Sequence, residues 1–170
     1  VGMMNPMYMP RIRDSLLKSF DSSKVFKFLH VPVQSGSNKV LNDMKRGHTE
    51  QTFRDVTNKF RDKFEKFTIS TDVIVGFPTE TEEDFEATLK LLKETKPDIV
   101  NLSRYSQRPG TYAAEMRQID VTEVKRRSKT AYELINEISE ENNKNWINEL
   151  YFLNDEHFNK GGAKLLSEIV

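Results

Sequence analysis

Three apolar runs in this chain each end in a turn-forming phrase, and segments of helical periodicity lie between them. The phrases are His30-Val-Pro-Val-Gln-Ser-Gly-Ser37, Asp72-Val-Ile-Val-Gly-Phe-Pro-Thr-Glu80 and Tyr105-Ser-Gln-Arg-Pro-Gly-Thr111. Strand-like runs that alternate with helices return the chain in one direction, which specifies a parallel α/β sheet flanked by helices. Ligands of such sheets are held at the carboxyl ends of the strands, where all three phrases fall.

The runs predict strands over Val25–Val33, Phe67–Val75 and Ile99–Leu102, the last reaching toward Tyr105. Helices with readable starts separate them. Thr49 caps a helix whose Phe53, Val56, Phe60 and Phe64 recur at the spacing of one buried face. Thr81 caps another, with Glu82, Glu83 and Asp84 at the positive end of its dipole and Phe85, Leu89 and Leu92 as its inward stripe, stopped by Pro97. Asp120 with Glu123 reads as a capping box opening a long helix, and a shorter helix spans about Arg11 to Phe20. From Trp146 the texture changes: Trp146 to Leu153 reads as a strand, Gly161-Gly162 as a turn, and Leu165 to Val170 as a returning strand. Both ends read as cut from a longer chain.

Net charge is zero over 170 residues, which excludes a chain whose entire surface traps nucleic acid. The run Lys125, Arg126, Arg127, Lys129 is the best candidate for a local basic stripe, and a solvated helix face is the plainer reading of it. With no cysteine there is no disulfide, thiolate metal site or thiol nucleophile, and the three histidines lack the spacing of a zinc site. No stretch is long and apolar enough to span a bilayer and no signal pattern opens the chain, so a cytoplasmic location is expected.

In the first phrase Pro32 cannot donate to a ladder, so the strand ends or bulges there. Gly36 permits a turn that frees amides for a ligand, and Gln34, Ser35 and Ser37 offer neutral hydrogen-bonding groups suited to a ribose or an amino acid. Ser37 also suits a helix cap through Val40, Leu41 and Met44. Asp72 inside an apolar strand needs a partner or a polar pocket. Gly76 begins a sharp exit from that strand. Glu80 then serves either a polar ligand or the helix dipole. Tyr105 offers a ring for stacking, and Arg108, before the Pro109-Gly110 turn, suits a carboxylate or phosphate, or bonds loop carbonyls. His30 reads as a satisfied core histidine and His48 as an exposed one. No phosphate loop, nucleophile elbow or His-Glu-x-x-His motif is present, so the residues alone define a ligand-binding α/β fragment.

In this order, and with Val40-Leu-Asn-Asp-Met-Lys-Arg46 and Glu82-Glu-Asp-Phe85, the phrases resemble the methylthiotransferases of the radical S-adenosylmethionine superfamily. The resemblance covers about residues 1–145, and Gly2-Met-Met-Asn-Pro6 with Arg108-Pro-Gly-Thr111 resembles the archaeal and eukaryotic branch that modifies N6-threonylcarbamoyladenosine in tRNA. It implies the carboxyl-terminal half of a partial (β/α)₆ barrel over residues 1–145, then the start of a TRAM-like β segment over 146–170. It also implies adenosylmethionine and two [4Fe–4S] clusters as cofactors and tRNA as partner. Cluster-bound adenosylmethionine would yield a radical that takes hydrogen from adenine C2, with sulfur and methyl supplied afterwards.

By the same resemblance Gln34, Ser35, Gly36, Ser37, Asp72, Gly76 and Glu80 would lie near the cofactor, and Arg46, Tyr105 and Arg108 would anchor substrate. Two departures stand out. The cluster cysteines are absent, so this chain alone is expected to be inactive and to respond little to adenosylmethionine. Thr79 also stands where the family has glycine. Three other readings remain open: the ribosomal-protein aspartate branch of the family, a non-catalytic RNA-binding scaffold, and an ordinary barrel enzyme using Asp72 or Glu80 as acid and base.

Overall fold

The computed structural model describes residues 2–152, with side chains through Asn143. A 3₁₀ turn (Pro6–Tyr8) leads into α1 (Met9–Ser19), β1 (Phe28–His30), α2 (Asn38–Asp43) and α3 (Glu50–Lys63). Then follow β2 (Thr68–Val75), α4 (Glu82–Thr95), β3 (Ile99–Arg104), α5 (Tyr112–Glu115) and α6 (Val121–Phe152). The three strands form one parallel sheet in the order β1-β2-β3, with His30 opposite Ser70 and Asp72 opposite Asn101.

Alternation along β2 sorts the two faces of the sheet. Ile69, Val73 and Val75 are buried beside Leu29, Val31 and Val33 of the β1 segment, against Phe53, Val56 and Phe60 of α3 and Phe85, Leu91 and Leu92 of α4. Ala131, Leu134 and Ile138 of α6 close this layer. Asp72, with Asn101 opposite it, lies on the other face, which carries the polar row. The Met4 amide donates to the His30 carbonyl at 2.8 Å, so the entering segment lies along the outer edge of β1.

The caps form as the sequence indicates at Ser37, Thr49 and Thr81, and Thr81 with Asp84 completes a reciprocal capping box. Asp120 Oδ1 accepts from the Thr122 amide, but the Glu123 carboxylate turns to Arg126 and Arg127, so no box forms at α6.

Two boundaries differ from the sequence reading. The first strand is only Phe28–His30, because the Thr71 hydroxyl enters the ladder, donating to the Val31 carbonyl at 2.8 Å and accepting from the Val33 amide at 3.1 Å. Pairing resumes only as a bridge between Gln34 and Val73. At the far end α6 continues across residue 145, so Trp146–Phe152 is helical where a strand was expected. No glycine or proline interrupts residues 121–152, and aromatic content alone misleads there. The rest of the expected β segment, residues 153–170, lies outside the described residues.

Candidate functional site

The carboxyl ends of the three strands adjoin, and their register brings the distant phrases together. The Gln34 amide donates to the Asp72 carbonyl (2.8 Å), the Ile74 amide to the Gln34 carbonyl (2.9 Å), and the Tyr105 amide to the Val75 carbonyl (2.8 Å). Gln34 is held with φ at 72°, a left-handed conformation that costs a non-glycine residue about 1–3 kcal/mol and persists only where its surroundings enforce it.

On the polar face Asp72 Oδ1 accepts from Asn101 Nδ2 at 2.9 Å and lies 2.8 Å from His30 Nε2. His30 is therefore satisfied, as expected, but by a carboxylate on the adjacent strand. Asn101 was not singled out in the sequence. Its signal was the alternation Asn101, Ser103, Tyr105, which sets Asn101 and Ser103 on one face of β3 and Tyr105 just past its end on the same side.

Gln34 Oε1, the Tyr105 hydroxyl and Glu80 Oε1, each in the segment that follows a strand, are buried with no hydrogen-bond partner among the described residues, as is Arg46 Nε in the loop after α2. Burying such groups unpaired costs about 1–3 kcal/mol each. The Tyr105 ring is fixed edge-on to Phe77, with centroids 5.3 Å apart.

The other residues named from the sequence are placed differently. Ser35 Oγ lies 3.3 Å from the Thr88 hydroxyl and accepts from the Ser37 amide at 3.1 Å. The Gly36 amide, expected to face a ligand, donates to Thr88 Oγ1 at 2.9 Å. A Cβ at Gly36 would fall 2.5 Å from the Ala87 carbonyl oxygen, so glycine here lets the loop touch α4. Ser37 donates to Asp84 Oδ1 at 2.6 Å. Ser35, Gly36 and Ser37 thus spend these groups on α4, and Gln34 is the residue of its phrase with an uncommitted one.

Gly76 adopts φ +80°, and its amide donates to Glu80 Oε2 at 2.8 Å. Glu80 is buried and receives Arg127 Nη1 at 2.9 Å. Burial pushes its carboxyl above the ordinary range, against the Gly76 and Arg127 hydrogen bonds that oppose it. Glu80 is therefore a clamp between the β2 exit and α6. Thr79 needs no glycine conformation: its hydroxyl donates to Asp43 Oδ2 at 2.6 Å, tying the exit loop to α2. Arg108 is exposed on its turn, where its carbonyl accepts from the Thr111 amide and hydroxyl. His48, expected exposed, is half-buried, with Nε2 3.2 Å from the Val33 carbonyl. No cluster of metal-ligating side chains occurs among the described residues.

A three-stranded parallel sheet with helices packed on one face and a polar opposite face defines an α/β domain. The profile of the radical SAM superfamily matches residues 2–92, and the chain belongs to that superfamily. It is 51% identical over 147 residues to a probable threonylcarbamoyladenosine tRNA methylthiotransferase of Archaeoglobus fulgidus, covering 86% of this chain and 35% of that protein. To the corresponding Methanocaldococcus jannaschii protein it is 48% identical, covering 86% and 34%. To the threonylcarbamoyladenosine tRNA methylthiotransferase of Drosophila melanogaster it is 42% identical over 134 residues, covering 79% and 24%. The chain thus spans about a third or less of the length of these relatives. The solved structure of coproporphyrinogen III oxidase from Escherichia coli, a radical SAM enzyme, superposes with a TM-score of 0.65 at 21% identity, covering 80% of this chain and 31% of that one. That likeness establishes the fold.

Proposed function

We propose that this chain is part of the catalytic domain of a tRNA methylthiotransferase that installs a methylthio group at C2 of N6-threonylcarbamoyladenosine. The observation that carries this reading is the set of unspent polar atoms at the carboxyl edge, Gln34 Oε1 and the Tyr105 hydroxyl above all, in a chain whose relatives bear that name.

These atoms fit the polar groups of adenosylmethionine. Gln34, fixed by pairing of its amide and its carbonyl to β2, would accept from a ribose hydroxyl or an amino group. Tyr105 would add a hydroxyl and an aromatic edge, and Asp72, oriented by His30 and Asn101, would add a carboxylate. When bound, adenosylmethionine supplies the radical chemistry, and the protein supplies orientation and electrostatics. Two iron–sulfur clusters belong to the proposal for the whole enzyme. No residue here fits a cluster through thiolate, since the chain has no cysteine. No helix among the described residues is long and apolar enough to cross a membrane, consistent with a cytoplasmic site of action.

A chimera tests the reading: residues 2–145 of this chain replace the matching segment of the Archaeoglobus fulgidus relative. The chimera is expected to methylthiolate threonylcarbamoyladenosine tRNA, read by mass spectrometry of nucleosides, and Gln34→Ala is expected to raise the adenosylmethionine requirement. A folded, cluster-loaded chimera that modifies a ribosomal protein, or nothing, sinks it.

A further inference from the structure

The densest basic stretch of the chain, Lys125-Arg126-Arg127-Ser128-Lys129, is divided by its helix between two environments. Arg126 Nη2 donates to Glu82 and Glu123, each at 2.6 Å, and Arg127 reaches Glu80 and Glu123. Those two guanidiniums are consumed in joining α6 to the start of α4. Lys125, Ser128, Lys129 and Tyr132 follow the three-and-four spacing of a separate face. They line a groove of about 490 Å³ whose opposite wall is Val100, Leu102 and Arg104 of β3.

Three cations, a hydroxyl and a largely exposed aromatic ring thus border an apolar floor, with Tyr132 59% exposed. The nearest carboxylate to this set in an ion pair is Glu133, 3.8 Å from Lys129 Nζ. Cations along a track with a ring for stacking suit nucleic acid, because phosphates take the charges and a base takes the ring. An acidic peptide would use the cations and leave the ring idle. The groove also adjoins the candidate site. Arg104 ends β3 and Tyr105, its amide still paired to Val75, follows it, so their side chains leave on opposite faces, one into the groove and one toward the carboxyl edge. Among the described residues β3 is an edge strand of the sheet.

We propose that the groove between β3 and α6 binds the RNA backbone next to the nucleotide delivered to the carboxyl edge, with Lys125, Lys129 and Arg104 on phosphates and Tyr132 under a base. The inference rests on the reading of tRNA as substrate.

The test is fluorescence anisotropy of the 170-residue chain with a labelled anticodon stem-loop RNA across a salt series. Lys125→Ala with Lys129→Ala is expected to weaken binding about tenfold and to lower the slope of log K against log salt by about 1.4–1.8, for two lost phosphate contacts. Tyr132→Ala is expected to weaken binding about tenfold with the slope unchanged, and Tyr132→Phe to bind like the parent. Lys90→Ala with Lys93→Ala, on the exposed face of α4, serves as the control, and circular dichroism confirms that each variant is folded. The proposal is overturned by no RNA binding at low salt, by an unchanged slope in the Lys125/Lys129 variant, or by an equal loss in the control. It is also overturned if polyglutamate competes as well as unlabelled RNA at equal charge, which would assign the groove to an acidic protein. A chimera that makes no product while the groove variants still show these RNA effects refutes the catalytic reading and leaves the groove standing.

Discussion

Arg127 Nη1 lies 2.9 Å from Glu80 Oε2, and the two side chains are 7% and 0% exposed, so the exit of β2 is pinned to α6 through a buried ion pair. Removing one partner strands the other charge. Arg127→Met is expected to destabilise the fold by about 3–5 kcal/mol in urea unfolding, and Glu80→Gln combined with Arg127→Met to recover much of that loss.

The same glutamate gives stability a pH dependence of definite sign. Burial raises its folded-state carboxyl above the ordinary 4.5, so just above that value the folded protein holds a proton that the unfolded chain releases. Its contribution is complete below 4.5 and declines as pH rises through the raised value. Glu80→Gln is expected to remove that decline from the pH profile of thermal unfolding; an unaltered profile would contradict the assignment.

Asp84 works in the opposite direction. Burial disfavours its charge, yet hydrogen bonds from Ser37, Thr81 and Lys39 outweigh it and hold the carboxyl below its ordinary 3.8. The stabilisation is present above 3.8 and is lost as pH falls through the lowered value. Asp84→Asn is expected to flatten acid unfolding in that range. Asp84→Ala also removes the reciprocal half of the α4 capping box and should cost about 1–2 kcal/mol at neutral pH, measured by denaturant titration.

Gly36→Ala would set a methyl 2.5 Å from the Ala87 carbonyl oxygen and 2.6 Å from Thr88 Cα, both backbone atoms that cannot rotate away. A loss of about 1–3 kcal/mol is expected, with hydrogen exchange rising in α4 and the loop around Gln34.

Tyr105→Phe separates ligand binding from packing. Its hydroxyl is buried without a partner, so removing it should leave the melting temperature unchanged or raise it slightly. A clear fall in melting temperature would mean that the hydroxyl is already satisfied in the free protein.

The caps at Ser37, Thr49 and Thr81 and the aromatic stripe of α3 were legible because each depends on residues within one or two helical turns. The end of β1 was not. It is decided by the Thr71 hydroxyl, 40 residues away, entering the ladder at Val31. The strand read from Trp146 onward failed for a related reason: a short apolar run has no preference strong enough to stop a helix without a glycine or proline.

The phrases fall at the carboxyl ends of the strands, and the Ser37 cap and the partnered Asp72 agree with the sequence reading, whereas the partners themselves were not legible. Ser35, Gly36 and Ser37 face α4, Glu80 faces Arg127, and Asp72 is shared by His30 and Asn101.

The sequence by itself determined the parallel α/β class, the helix starts and the positions of the three turns, since period and capping are local properties. Only the tertiary structure decided which polar groups are spent on the fold and which stay available at the carboxyl edge. Satisfying a buried donor or acceptor depends on partners dozens of residues away, and no spacing along the chain records that distance in space.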